Sequence, residues 1–412
     1  MPSYIRARTE FTVNSHSAGD QVSPSVSAFA DGGFIVVWGT SDPAQDGDDS
    51  AIKAQLFDSA GRKIGAEFLV NSASAGAQFT PEVATLANGN FIVTWVANGA
   101  DDGSDGIKAQ LFSRSGAPIG GELMVNLSSG SQFTANVSAL AGGGFVISWD
   151  DWNGFDMKAQ IFDSAANRVG GVLTVNTRTD YAQEYGDIVG LEGGGFVATW
   201  RTTNSSDDGS SHAVKAQLFS ATGAKVGGEF LVNSMTANYQ YASSVAALAG
   251  GGFVITWETW DPAQDGSSAA LKGQIYSASG SKVGGEFRIN SQADDMQRDP
   301  HASGTPDGGF VVTWTDFSST QDGSLSAIKA QAFDSTGAKV GGEMLVNTLT
   351  AGHQTLSDIG TLADGRLILT WTSDGGDSDG RSVRAQILGT QAAPPLANTA
   401  PVIISNGGAA SV

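Results

Sequence analysis

The sequence predicts an all-β protein: a seven-bladed β-propeller with four antiparallel strands per blade. Three observations predict it. One short apolar segment recurs seven times, the strands built on it are apolar on both faces, and the first and last copies are each incomplete.

The recurrent segment is GGFIVVW, ending at Trp38; its relatives end at Trp95, Trp149, Trp200, Trp257, Trp314 and Trp371, at spacings of 57, 54, 51, 57, 57 and 57 residues. Three more markers keep step with it. A [KR]-[AG]-Q triplet ends at Gln55, Gln110, Gln160, Gln217, Gln274, Gln331 and Gln386. An Asn closes EFLVN-like segments at 14, 71, 126, 176, 233, 290 and 347, and a single Gln follows at 21, 78, 132, 183, 240, 297 and 354. A period of this length is the mark of a repeat architecture.

Each copy reads as four strands, a to d. In the second copy they are Glu82–Leu86, Asn90–Trp95, Ile107–Phe112 and Glu122–Asn126. No stretch of useful length has helical period. Strand b places Phe91, Val93 and Trp95 on one face and Ile92 on the other, so its sheet is covered on both sides. Strand a is rich in Ala, Ser, Thr and Gly, as crowding round an axis requires.

A solenoid would also cover both faces, so the chain ends decide. The first copy opens with a d-type segment, Glu10–Asn14, and the last stops after a c-type segment, Ser382–Leu388. The N-terminal strand therefore completes the last blade and closes a ring, where a solenoid needs caps. The propeller spans residues 1–389; residues 390–412 read as a Pro/Ala/Asn-rich linker toward a further domain. The a–b and c–d turns are short and Gly-bearing and share one face. The longer b–c and d–a connections share the other, where function is expected.

Composition excludes several classes. Glycine is 55 of 412 residues and Cys is absent, which removes disulfides, thiolate metal sites and a Cys nucleophile. The net charge of −20 argues against nucleic acid or an anionic membrane as partner. No apolar run is long enough to span a bilayer, and residues 1–21 lack the apolar core of a Sec-type signal peptide.

The unit GGFVVTW…QDGS…IKAQ…G-KVGGEFLVN…Q resembles repeats of large type I-secreted RTX-type proteins of Gram-negative bacteria, and the tail NTAPVI resembles the entry to VCBS or cadherin-like modules. The resemblance covers about residues 10–389. It implies a secreted or cell-surface, adhesin-like protein with downstream domains, and it raises the expectation of calcium. The GGxGxDxUx calcium nonapeptide of that class is absent from this chain.

Nineteen of the 42 acidic residues fall in the seven b–c segments. The candidate Ca²⁺ ligands among them are Asp42, Asp46, Asp48, Asp101, Asp105, Asp207, Asp265, Asp322, Asp374, Asp377 and Asp379, since clustered carboxylates with Gly and Ser between them suit a cation that takes six to eight oxygens. Asx-turn chemistry is the competing reading. The seven Trp and the Gln and Asn rows read as core and as partners of buried backbone groups.

Ligand binding is sought where a blade departs from the pattern: Trp152 and Phe155 in the shortest b–c segment, Trp260 beyond Trp257, and Tyr181, Tyr185, Tyr239 and Tyr241 in d–a segments. Aromatic rings beside Asp and Asn suit sugar faces and hydroxyls. The polar d–a segment with Asp294, Arg298, Asp299 and His301 offers acid–base groups, with Arg201 and His212 nearby in kind. All four His are placed outside the strands, and they fit no triad or metal spacing.

Three readings of function follow. The first is a non-catalytic, monomeric module that binds a glycan or another extracellular ligand, with calcium ordering its loops. The second is a polysaccharide lyase or hydrolase, and the third a structural spacer.

Overall fold

The computed structural model describes residues 4–390, apart from 46, 48, 73–75, 102, 210–211, 267–268, 293–294, 319–322 and 377–378. Seven antiparallel sheets stand in a ring, each running a-b-c-d from the axis outward. Blade 4 is typical: Gln183–Gly190, Phe196–Thr202, Ala213–Phe219 and Lys225–Leu231. In blade 7 the inner strands are Gln354–Thr361, Leu367–Asp374 and Arg381–Thr390, and the N-terminal segments Tyr4–Arg6 and Phe11–Thr12 both pair antiparallel with the third. The expected closure by the N-terminus is thus present, with a break between the two pieces.

Strand b decides the architecture. All seven residues of Phe34–Thr40, Phe145–Asp151, Phe196–Thr202, Phe253–Thr259 and Phe310–Asp316 are buried. Each blade therefore needs an apolar neighbour on both sides. Seven apolar clusters supply this, one at each junction, including blade 7 against blade 1 through Val13, Val26, Trp38, Leu362 and Ile368. At the opposite end of strand b from the Trp, the Phe of blades 1 to 6 stacks on an aromatic of strand c directly across the ladder, and Leu367 meets Leu388 there in blade 7. Phe34–Phe57, Phe196–Phe219 and Phe253–Tyr276 have ring centroids 4.7–5.0 Å apart and near-parallel planes. Such pairs add about 0.5–1.5 kcal/mol each beyond the area they bury.

The polar markers have distinct jobs. The Asn at the end of strand d accepts, through Oδ1, a backbone N–H of strand c in all seven blades, at 2.8–3.0 Å. The Gln of the [KR]-[AG]-Q triplet donates to a strand d carbonyl, for example Gln217 Nε2 to Val226 O at 3.2 Å. It sits where the c–d register shifts, opposite a Gly held at positive φ such as Gly227 at +69°. That bulge is why strand d reads KVGG. The remaining Gln opens strand a and accepts from the indole Nε1 of strand b: Gln21 from Trp38 at 2.8 Å, Gln78 from Trp95 at 2.9 Å, Gln183 from Trp200 at 2.7 Å. In blades 3 and 6 the Gln oxygen turns instead to Asn126 (2.6 Å) and Asn290 (2.8 Å), leaving Nε1 of Trp149 and Trp314 without a partner. The same Gln residues donate through Nε2 to backbone carbonyls just before strand a, as in Gln78 to Gly76 O at 3.0 Å and Gln183 to Tyr181 O at 2.9 Å, so the row serves the backbone, as the sequence suggested, and the indole as well.

A second lock joins blades at the rim. The Glu of strand d accepts the backbone N–H that follows the Asn of the preceding blade, as in Ser15 N to Glu67 Oε2 (2.6 Å) and Thr177 N to Glu229 Oε2 (2.6 Å). Blade 3 has Val172 at this position, and its Lys158 pairs with Asp156 at 2.9 Å instead of a Glu.

The structure corrects the limits of strand a. It begins at the Gln, as in Gln78–Thr85, four residues before the expected Glu82. The third residue of the strand has positive φ (Thr80 +47°, Tyr185 +52°, Asp299 +53°), and the a–b register shifts there. The bulge interrupts the alternation that a strand is recognised by. Strand a therefore includes Tyr185, Tyr241, Arg298 and His301, which the sequence reading put in loops.

Replacing Gln21 by Ala leaves the buried Trp38 N–H unsatisfied and is expected to lower the unfolding free energy by about 1–3 kcal/mol in a urea titration. Adding Trp38→Phe removes the donor, so the double variant should lose less than the sum of the two singles. Strict additivity would mean that the bond contributes nothing.

Candidate functional site

Four residues after each strand-opening Gln, the repeat stops repeating. Those positions hold Ser25, Glu82, Asn136, Asp187, Ser244, His301 and Asp358. Strand a lies at the axis, so these seven side chains form one ring. All but Ser25 line an axial cavity of about 280 Å³ whose lining also includes Thr134, Tyr185 and Asp299. A second lobe of about 200 Å³ continues it past Ser23, Thr80 and Leu356. The cavity sits at the start of strand a, on the face that carries the b–c and d–a connections.

Backbone geometry holds the ring. Asp187 accepts Ile188 N at 2.7 Å and, from the next blade, Val245 N at 2.8 Å. Asp358 does the same with Ile359 N at 2.7 Å and Val26 N at 2.8 Å. Ser25 Oγ donates to Glu82 Oε2 at 2.8 Å, and Asn136 Nδ2 donates to Gly186 O at 2.6 Å. His301 Nδ1 lies 3.6 Å from Asp358 Oδ1.

Burial pushes all three carboxyls toward the protonated form. Glu82 rises well above the usual range, first through desolvation and then through the charges of Asp358 and Asp187. Asp187 and Asp358 are also raised by burial, against the pull of their backbone N–H donors and of His301. A hydroxyl-rich ligand meets here both proton donors and acceptors.

Beside the cavity stands an aromatic bank from blades 4 to 6. The guanidinium of Arg201 is buried between the rings of Tyr185 (4.5 Å) and Tyr241 (4.3 Å), and its Nη2 donates to Glu184 Oε1 at 2.5 Å. His212 stacks on Tyr241 at 5.0 Å and meets Tyr239 edge-on at 4.8 Å. Trp260 lies 6.0 Å from Tyr241, under Arg298 at 5.5 Å, and donates to the fully buried Glu258 at 3.0 Å. Tyr185 belongs to both bank and cavity.

Beneath this bank, buried carboxylates of strand b brace the bulges. Asp150 Oδ2 accepts Tyr185 N and Glu258 Oε1 accepts Asp299 N, each at 2.8 Å. Burial pushes Asp150 up to about 7.

The structure thus brings together Tyr185, Tyr239, Tyr241, Trp260, Arg298 and His301, along with Arg201 and His212. Trp152 and Phe155 form a separate cleft one blade away, and Tyr181 is exposed near it. Asp294 lies outside the described residues. Three of the four His are indeed outside strands; His301 is a strand residue at the axis. Glu82, Asp187 and Asp358, the core of the cavity, were missed. The available signal was the divergence at a fixed offset from an otherwise constant Gln.

The acids named as calcium ligands are spread over the ring. Asp42 bonds His16 at 2.5 Å and caps Ala44 N at 3.0 Å. Asp105 accepts Asn98 Nδ2 at 2.7 Å, Asp207 lies 3.3 Å from Lys215, and Asp374 accepts His353 N at 2.9 Å. Asp101 ends strand b of blade 2, and Asp379 is in a b–c connection. Asp265 ends a short helical turn, Pro262–Asp265, that Asp261 caps. Asp46, Asp48, Asp322 and Asp377 lie outside the described residues. Among the described residues, no three His, Asp or Glu side chains are grouped to hold a metal ion. The segments counted as acidic loops also include strand residues: Asp150 and Asp316 are buried at the end of strand b, not on a loop surface.

No family model matches the chain, and no curated protein matches its sequence. Solved structures do resemble it. A protein of unknown function from Dyadobacter fermentans DSM 18053 has a TM-score of 0.56 at 12% identity, over 95% of this chain and 100% of that one. An alpha-L-arabinanase of Penicillium chrysogenum, solved with arabinobiose, gives 0.52 at 13% over 92% and 98%. An ulvan lyase, solved with -[GlcA(1-4)Rha3S]-, gives 0.57 at 12% over 91% and 95%. At these identities the likeness shows the fold alone.

Asp150 gives a pH test of the packing under Tyr185. Its carboxyl is raised on folding, so its contribution to stability is full below the unfolded carboxylate range and is lost as pH rises through about 7. Asp150→Asn cannot ionise and should gain on the wild type between pH 5 and pH 8 in urea midpoints. A wild-type-to-variant difference that does not move with pH would show that Asp150 ionises freely.

Proposed function

We propose that the protein binds glycans, with a sugar residue in the axial cavity and its neighbour against the Tyr185–Arg201–Tyr241 bank. The observation that carries this reading is the ring of seven polar side chains of five kinds at the axis of an otherwise repetitive scaffold. A spacer needs no such divergence, whereas recognition of one hydroxyl pattern does. The aromatic faces beside it supply stacking surface. That two of the similar folds carry a glycan in their solved structures supports the same reading.

The cavity favours neutral or amino sugars. Glu82, Asp187, Asp299 and Asp358 line it with a single His and no Lys or Arg, so a uronate would find no fixed positive charge there. This separates the expected ligand from the glucuronate-bearing one of the ulvan lyase and weighs against a lyase. Hydrolysis is the second reading, favoured by one observation: burial raises Glu82, Asp187 and Asp358, and a glycosidase needs a protonated carboxyl beside an ionised one. The resemblance of the repeats to type I-secreted proteins supports a place outside the cell. The concentration of acids in the b–c segments supports calcium as a loop-ordering ion.

A glycan screen followed by calorimetry tests the reading. Tyr185→Ala should weaken binding about tenfold (~1.4 kcal/mol), and neutral oligosaccharides should outcompete uronides. Undiminished binding by Tyr185→Ala would remove the axial site. In the same incubations, new reducing ends that vanish in Glu82→Gln would turn the binding module into a hydrolase. Their absence would leave it non-catalytic.

Calcium is tested by melting. Added Ca²⁺ should raise Tm and a chelator should lower it; identical midpoints would remove the ion.

A further inference from the structure

A cleft between blades 3 and 4 lies apart from the axial cavity. It encloses about 190 Å³ and is lined by Asp151, Trp152, Phe155, Ala182, Gln183 and Glu184. We propose that it is a second sugar subsite, holding an outlying residue of the same oligosaccharide chain that enters the axial cavity. This inference rests on the glycan-binding reading given above.

The cleft is built rather than incidental. The b–c connection of blade 3 has only four residues between the paired ends Asp151 and Asp156, yet it carries two large rings. Trp152 and Phe155 remain 53% and 55% exposed. Phe155 has φ +54°, where a bulky side chain is uncommon. Gln183 N donates to its carbonyl at 2.9 Å and fixes that conformation, so the ring is displayed outward rather than folded into the core. Trp152 is braced too: its backbone N–H donates to Ser131 O at 3.2 Å, and its ring meets Phe133 edge-on at 5.1 Å. Asp151 and Glu184 are the two acidic residues of its lining.

Size and continuity identify the occupant. A cleft of this volume takes one ring-sized ligand. A stable protein partner needs more than about 1,000 Å² of buried surface, and the exposed apolar surface here amounts to Trp152, Phe155 and the nearby Tyr181. Residues 182–184 line the cleft, and residues 185–187 of the same strand line the axial cavity. At about 3.3 Å per residue the two sites are about 10 Å apart along the strand. Glu184 links them physically, since its carboxylate holds the Arg201 guanidinium that stacks on Tyr185. The ligand is therefore an oligosaccharide rather than a monosaccharide.

The test measures binding of cello-, manno- and arabino-oligosaccharides, each from the monosaccharide to the hexasaccharide, by calorimetry. The proteins are wild type, Trp152→Ala, Phe155→Gly and Tyr185→Ala. Phe155→Gly removes the ring while suiting the positive φ, so it keeps the test valid if Trp152→Ala fails to fold. Wild-type affinity should rise at least tenfold with chain length. Both cleft variants should lose that rise and keep short-ligand affinity, while Tyr185→Ala weakens all lengths alike. A length dependence intact in both cleft variants overturns the second subsite and leaves the axial reading standing. Loss of all binding in the cleft variants, with Tyr185→Ala unaffected, moves the whole site to the cleft and overturns the shared arrangement. No binding of any series to the wild type overturns both readings.

Discussion

A strand buried on both faces cannot be the end of anything. Strand b is such a strand in every blade, and its Trp and the Phe at its other end, Leu367 in blade 7, are inaccessible to water from either side. Seven such sheets in an open row would leave two apolar faces wet; a ring leaves none. The indole N–H that the Trp brings into this dry layer then needs an acceptor, and the Gln that opens strand a supplies it in five blades. The Asn row and the Gly bulge of strand d satisfy the backbone around it. Each constant residue of the repeat thus answers a demand made by strand b.

Where that demand is absent, the blades differ. The side chain four places after the Gln stands at the axis, across the a–b ladder from residues such as Thr94, Thr199 and Thr370, and the blades place Ser, Glu, Asn, Asp or His there. The candidate site is written in these differences. Its electrostatics come from the ring geometry, which sets Glu82, Asp187 and Asp358 round one narrow space and raises all three.

The blade order, the buried Trp row, the tight Gly turns and the closure by the N-terminus were all legible, because seven copies of one pattern repeat each signal. The beginning of strand a was not. Thr80, Tyr185 and Asp299 adopt positive φ, and the alternation that would reveal a strand slips at that residue. His301 and Tyr185 consequently read as loop residues, and Glu82 as an ordinary strand residue. Asp150 misled in the other direction. It looks like a loop acid beside Asp151 and Trp152, but the connection in blade 3 is so short that the strands run through both acids and bury them. The aromatic residues were recognisable by their departure from the repeat. That Arg201 joins Tyr185 to Tyr241 depends on the angle between blades, which no spacing in the chain encodes.

The seam in blade 7 sets an order of events during synthesis. Among the strands of the ring, Tyr4–Arg6 and Phe11–Thr12 come first in the chain, yet the strand they dock on, Arg381–Thr390, comes last. Until then the nascent chain is a growing crescent with one apolar flank at each end. The first strand segments of the ring have no partner strand until the last blade is made. Closure joins the two flanks and the seam at one place, where the N-terminal segments meet the last strand of the ring.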